Sequence, residues 1–344
     1  MEQILKEYRD NLPLFFDQQN KIKTILTSAF EKAGICIASI ESRVKSYESL
    51  EGKLRLKGFK YHSLTDITDI LGFRIITYYI DDVDRVATLV ERLFHVDWEN
   101  SVDKRKLLET DSFGYLSLHF ICSVDSFPYR FEVQMRTLLQ HAWANMDHDT
   151  GYKSGVEIPT RYLRSMSRLA GLLELVDEEF SKIRTELSDY RRKVQALVSS
   201  GKLADVPLDG DSFRSYLGLK PFDALNHKIA AMNQAEIQDV PLMPYMAVFK
   251  ALGCHNLGDI DQMIKQYSEG AFQIACYQMG LTDLDIISSS LGPQDLCIAC
   301  ILKRGGGRAG IRLLFDTLNG PSESNETIAA MLMEQAEAFP FMNQ

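Results

Sequence analysis

The stretch FEVQMRTLLQHAWANMDHD, residues 131–149, changes its period halfway along. Its first six residues alternate, Phe131, Val133 and Met135 against Glu132, Gln134 and Arg136. In a strand that spacing sends the apolar set to one face and a carboxylate, an amide and a guanidinium to the other. From Thr137 the pattern turns helical, and His141, Asn145 and His148 fall at i, i+4 and i+7 on one face, with Trp143 read as core. A half-polar strand running straight into a helix points to a sheet flanked by helices.

Working outward, the preceding segment YLSLHFICSV (115–124) repeats the alternation, with Leu116, Leu118 and Phe120 opposing Tyr115, Ser117 and His119. A turn around Ser126 and Pro128 joins the two. A third strand is FRIITYYI (73–80), with Asp69 just before it and Arg74 just after Gly72; a fourth is ICIASIESRVK (35–45). Helices are expected over residues 1–33 as a single amphipathic helix stopped at Gly34, over SYESLEGKLRLKG (46–58) with Ser46 as N-cap, over TDITDILG (65–72) capped by Thr65, and over 82–95. Residues 96–114 lack a period and read as a loop. A long helix follows at 160–198.

Residues 199–212, rich in Gly, Asp and Ser, suggest a linker, and residues 213–344 read as short helices with one candidate strand near 308–316. The expected organisation is therefore an α/β domain over 1–198, with a mixed β-sheet flanked by helices, the linker, and a mostly helical C-terminal domain over 213–344. A length of 344 residues suits two domains.

The composition, 45% hydrophobic and 25% charged, is that of a globular protein, and no stretch has the roughly 18 uncharged apolar residues of a membrane span. The expected compartment is cytoplasmic, without membrane association. Six thinly spread cysteines point to reduced thiols, and Cys297-x-x-Cys300, lacking a second pair, reads as a buried helical face. A net charge of −9 argues against broad nucleic-acid binding, so no DNA partner is expected and a polyanionic ligand must meet a local basic patch.

Such a patch is present. Residues 43–57 supply Arg43, Lys45, Ser46, Ser49, Lys53 and Lys57, with Ser49, Lys53 and Lys57 four apart on one helical face. With Asp69, Arg74, Glu132 and Arg136, this set suits a nucleotide-phosphate site holding a divalent ion. Read from composition alone, the same residues also describe a surface laced with salt bridges.

The series Arg43-x-Lys45-Ser46-x-x-Ser49-x-x-x-Lys53, Asp69-Ile70-Leu71-Gly72-Phe73-Arg74-Ile75, Gly114-Tyr115-x-Ser117-x-His119, Glu132-x-Gln134-x-Arg136-Thr137 and His141-Ala142-Trp143-Ala144 with His148-x-x-x-Tyr152-Lys153 resembles the synthetase domain of the RelA/SpoT family of alarmone synthetases, or GTP pyrophosphokinases. The match covers about residues 35–155, in order. The resemblance implies a nucleotidyltransferase-like sheet and transfer of the β,γ-pyrophosphate of ATP to the 3′-hydroxyl of GDP or GTP, giving (p)ppGpp.

It also implies roles. Asp69 would bind Mg²⁺, and Glu132 would complete the metal site or accept the hydroxyl proton. Arg43 and Arg74 would bracket ATP, with Lys45, Ser46, Lys53 and Lys57 on its phosphates. Tyr115 would stack on guanine, beside Gln134, Arg136 and His119. His148, Tyr152 and Lys153 would support the site or approach the phosphates. His148-Asp149 lacks the companion ligands of a hydrolase metal site, so alarmone hydrolysis is not expected. Leu116, where family members carry a basic residue, leaves the acceptor open among GMP, GDP, GTP and an adenine nucleotide. The competing readings are a toxin-like relative acting on tRNA 3′ ends or adenine nucleotides, and a silent nucleotide-binding module, which would require loss of Asp69 or Glu132, both of which are present. Homo-oligomerisation is left open.

Overall fold

The computed structural model describes residues 1–57, 60–106, 117–149, 160–280 and 285–343. The chain divides into two compact units, Met1–Thr185 and Glu186–Gln344.

The first unit opens with two helices where one was expected, α1 (Glu2–Asp10) and α2 (Leu12–Ala33). Pro13 lies in the first turn of α2, where a missing N–H costs nothing, and the helical run breaks at Asn11. Gly34 ends α2 in the left-handed conformation, with φ 61°. Phe15, Ile22, Leu26 and Phe30 form the buried stripe of α2, and each contributes about 1.5–3 kcal/mol of apolar burial.

Five strands follow in a mixed sheet: β1 (Ile37–Val44), β2 (Leu71–Thr77), β3 (His95–Asp103), β4 (Leu118–Val124) and β5 (Phe127–Thr137), in the order β1-β2-β5-β4-β3. Pairs are antiparallel except β2 with β5, which run parallel. Helices α3 (Tyr47–Lys57), α4 (Ile80–Leu93), α5 (Leu138–Asp147) and α6 (Thr160–Ser199) flank the sheet in sequence. Phe73, Ile75, Phe131, Val133 and Met135 fill one face of the sheet.

Three local expectations differ from this. The 96–114 loop is β3 over its first half: its polar, exposed residues carry little apolar alternation because β3 is the sheet's edge. Residues 107–116 lie outside the described residues. The helix expected at 65–72 is a 3₁₀ turn, Leu64–Asp66, capped by Ser63 and not by Thr65, in a reciprocal box with Asp66. The turn between β4 and β5 is Asp125–Ser126, and Pro128 sits inside β5.

Thr137 ends β5 and caps α5, accepting from Gln140 N at 3.1 Å. Its hydroxyl donates to Asp177 Oδ2 at 2.5 Å, a carboxyl buried on α6. Burial, only partly offset by that bond, pushes the Asp177 carboxyl up to about 6. The folded carboxyl holds its proton more tightly than the unfolded chain does, at 3.8. Its contribution to stability is therefore full at low pH and is lost as pH rises through 6. Asp177→Asn keeps the acceptor and removes the charge, so urea melts should show a gain of about 1–3 kcal/mol at pH 8 that shrinks toward zero at pH 4. An equal effect at both pH values would show that the charge is not what costs stability.

In the second unit, α7 (Gly210–Leu217), α8 (Asp223–Ala230), α9 (Tyr245–Ala251), α10 (Leu257–Gly280), α11 (Leu291–Lys303), α12 (Gly307–Asn319) and α13 (Glu323–Glu334) surround their own core. The candidate strand at 308–316 is α12, whose buried Ile311, Leu314 and Phe315 keep helical spacing. A two-stranded parallel sheet pairs β6 (Glu236–Gln238) with β7 (Ile286–Ser288), which the helical pattern did not suggest. The stretch 199–212 is packed: Val206 and Leu208 are buried in this core. Cys297 and Cys300 are free and buried on α11.

Candidate active site

Strand register builds the site. One row across the sheet is Arg43, Gly72 and Glu132, on β1, β2 and β5; the next is Glu41, Arg74, Gln134 and His119, on β1, β2, β5 and β4. Residues directly opposite each other share a face, so the two rows stand side by side. Glu41, Arg43, Gly72, Arg74, Glu132 and Gln134 line a cleft of about 140 Å³, with Asp69 at its edge. Gly72 opens the middle of the first row: a Cβ there would meet Arg43 Cγ at 3.9 Å.

Asp69 stands in the turn before β2, within reach of α3. Lys45 Nζ donates to its Oδ2 at 2.8 Å and Lys53 Nζ to its Oδ1 at 2.7 Å. Burial raises the Asp69 carboxyl, but the bonds from Lys45 and Lys53 outweigh it and hold the group below the usual carboxylate range. Lys53 answers in kind: desolvation lowers its ammonium, and the Asp69 bond more than reverses this. The carboxylate thereby gathers two cations from a strand end and a helix at the cleft rim.

Glu132 is held from β4 and from its own strand. His119 Nδ1 lies 2.8 Å from Oε1, and Gln134 Nε2 donates to Oε2 at 3.0 Å. Burial raises Glu132; the His119 and Gln134 bonds more than compensate, and the Asp69 charge pushes it back upward. The carboxylates at 69 and 132 thus sense each other across one cleft. Arg74 Nη1 donates to Glu41 Oε2 at 2.9 Å and its Nε to Gln134 Oε1 at 3.3 Å.

Not every expected residue lines this cleft. Arg136 is buried, its Nη2 2.9 Å from His141 Nδ1, so it braces α5 against the sheet. Ser46 is exposed and caps α3, accepting from Ser49 N at 3.2 Å. Lys57 is exposed at the far end of α3, and His148 at the C-terminal end of α5. Tyr115, Tyr152 and Lys153 lie outside the described residues. Glu41 escaped the sequence reading, although its place two residues before Arg43 on one strand puts both on one face.

Among the described residues no group of three or more His, Cys, Asp or Glu forms a protein-only metal cage. Two hard carboxylates on one cleft nevertheless fit an ion that takes its remaining ligands from phosphates and water. Cations, paired carboxylates and a sheet floor together describe a polyphosphate site.

The family model described as a region found in RelA / SpoT proteins matches residues 42–157, which contain Asp69, Arg74 and Glu132. The chain is similar to GTP pyrophosphokinase YjbM of Bacillus subtilis (strain 168), 30% identical over 163 residues, 44% of this chain and 74% of that protein. It is similar also to GTP pyrophosphokinase YwaC of the same organism, 29% identical over 160 residues, 44% and 75% of the two chains. The crystal structure of small alarmone synthetase 2 from Bacillus subtilis is 26% identical, spans 52% of this chain and 99% of its own, and superposes with a TM-score of 0.46. With the carboxylate pair and its cations ordered along the same segment, this chain belongs to the RelA/SpoT family.

Proposed function

We propose that the first unit is a GTP pyrophosphokinase, moving the β,γ-pyrophosphate of ATP to the 3′-hydroxyl of GDP or GTP and releasing AMP. The observation that carries this reading is one cleft lined by Arg43, Asp69, Arg74 and Glu132, with Lys45 and Lys53 bonded to its Asp69.

The acceptor's 3′-oxygen attacks the β-phosphorus of ATP. The new O3′–Pβ bond forms as the bond from Pβ to the α,β-bridging oxygen breaks, and AMP departs with that oxygen. Glu132, ionised because of its donors, takes the 3′-hydroxyl proton. Arg43 and Arg74 orient the donor, and Lys45 and Lys53 turn from Asp69 toward the triphosphate, fixing cations where phosphoryl oxygens gain charge. A Mg²⁺ held by Asp69 and Glu132 would neutralise the phosphate oxygens during transfer. Gln134 and His119 keep the Glu132 carboxylate aimed into the cleft.

The test is direct. Purified protein is incubated with Mg²⁺, labelled ATP and either guanine nucleotides, adenine nucleotides or tRNA, and the products are separated. Label on a guanine nucleotide supports the proposal; label only on tRNA or an adenine nucleotide replaces it. Within this reading Tyr115 supplies the guanine platform. Tyr115→Ala should raise the acceptor's KM roughly tenfold to a hundredfold and leave that of ATP nearly unchanged, matching a stacking loss of about 1–3 kcal/mol. Equal changes in both KM values would remove Tyr115 from the acceptor side.

A further inference from the structure

The cleft holds a carboxylate that the reaction does not need. Glu41 lines it together with Asp69 and Glu132, yet proton transfer and metal binding are already provided for. By charge alone a third carboxylate repels the triphosphate that such a cleft must take. The reason for its presence lies in what it touches.

Glu41 Oε2 accepts from Arg74 Nη1 at 2.9 Å, and Nε of the same guanidinium donates to Gln134 Oε1 at 3.3 Å. Glu41 and Gln134 are the residues directly opposite Arg74 on its two neighbouring strands, so the register of β1, β2 and β5 supplies both anchors. Guanidinium N–H groups lie in the plane of the group. Two such bonds therefore fix that plane and leave its face for stacking. Each anchor is braced in turn. Gln134 Nε2 donates to Glu132 at 3.0 Å, while Glu41 Oε1 faces His141 Nε2 on α5 at 3.8 Å, and His141 Nδ1 lies 2.9 Å from Arg136 Nη2. With side chains 46% and 30% exposed, the Glu41–Arg74 pair contributes little to stability. What it governs is orientation.

We infer that Glu41 is a positioning residue, which sets the plane of Arg74 before the donor nucleotide arrives. This rests on the reading of the cleft as the ATP site. Without Glu41 the guanidinium keeps one anchor and turns about it, and part of the donor's binding free energy goes into ordering it again. Glu41 touches no reacting atom; it acts through Arg74. Its removal has two opposed effects on a polyanionic ligand, since the lost charge favours binding and the lost orientation opposes it. Orientation is the larger.

Calorimetry of the full chain with Mg²⁺ and α,β-methylene-ATP, a donor analogue that binds without turnover, tests this. E41A should weaken binding about tenfold, whereas E41Q, which keeps an oxygen for Arg74 Nη1, should stay within about threefold of wild type. In an R74A background E41A should change the dissociation constant by less than about twofold, because nothing is left to position. Steady-state transfer should agree, with E41A raising the KM of ATP about tenfold and leaving kcat and the acceptor's KM within about twofold. Unchanged or tighter binding by E41A overturns the inference and leaves the pyrophosphokinase reading standing. So does an effect of full size in R74A, which would make Glu41 a direct contact of the donor. If the binding pattern holds but no label reaches a guanine nucleotide, the proposed acceptor falls and the role of Glu41 stands. A wild type that binds no analogue overturns both.

Discussion

Asp69→Asn should lower kcat for pyrophosphate transfer at least about a thousandfold, the scale expected when a preorganised charge is removed from a phosphoryl-transfer site. The substitution keeps the shape of the side chain and deletes the charge that Lys45 and Lys53 both face. Two effects follow. The donor set for a divalent ion loses a hard oxygen anion, and two ammonium groups drawn to one point now repel each other. Because the site is only partly buried, the stability cost should be limited to about 1–3 kcal/mol, visible as a lower urea midpoint with an intact transition. Turnover within tenfold of wild type would take Asp69 out of the reaction.

Glu132→Gln is the second large effect. The amide can still meet His119 and Gln134, so the fold should stay intact, yet it can neither accept the 3′-hydroxyl proton nor hold a cation. A loss of about 10²–10⁴ in kcat is expected, with little change in the KM of either nucleotide. A change confined to KM would make the residue a binding group. Since donors keep the wild-type carboxylate below its ordinary range, the wild-type rate should not fall for want of ionised Glu132 anywhere near neutral pH.

Much of this was legible in the sequence because strand alternation is a two-residue signal that each residue either obeys or breaks. Glu132, Gln134, Arg74 and Arg43 announced their faces in that way, and the order of the motifs carried the family. β3 was not legible, since an edge strand bearing His95, Asp97, Glu99 and Asp103 shows no apolar period. Arg136 shares its parity with Glu132 and yet is buried against His141, because the end of β5 passes beneath α5 where the sheet face is no longer open. The Asp69 lysine clasp was invisible for another reason: it depends on how α3 docks beside a turn, which no local pattern encodes. α12 was misread because the Arg-Leu-Leu-Phe run is short enough to suit either period.

The parallel pairing of β2 with β5 has a temporal consequence. Parallel neighbours need a long crossover, and here its described elements include α4, β3 and β4, all of which are synthesised before β5. The attacking and donating ends of the reaction therefore have no common location in a partly synthesised or partly unfolded chain. The cleft is complete only when this non-local join has closed, so a chain in which β5 has parted from β2 has lost the row that sets Arg43, Gly72 and Glu132 side by side.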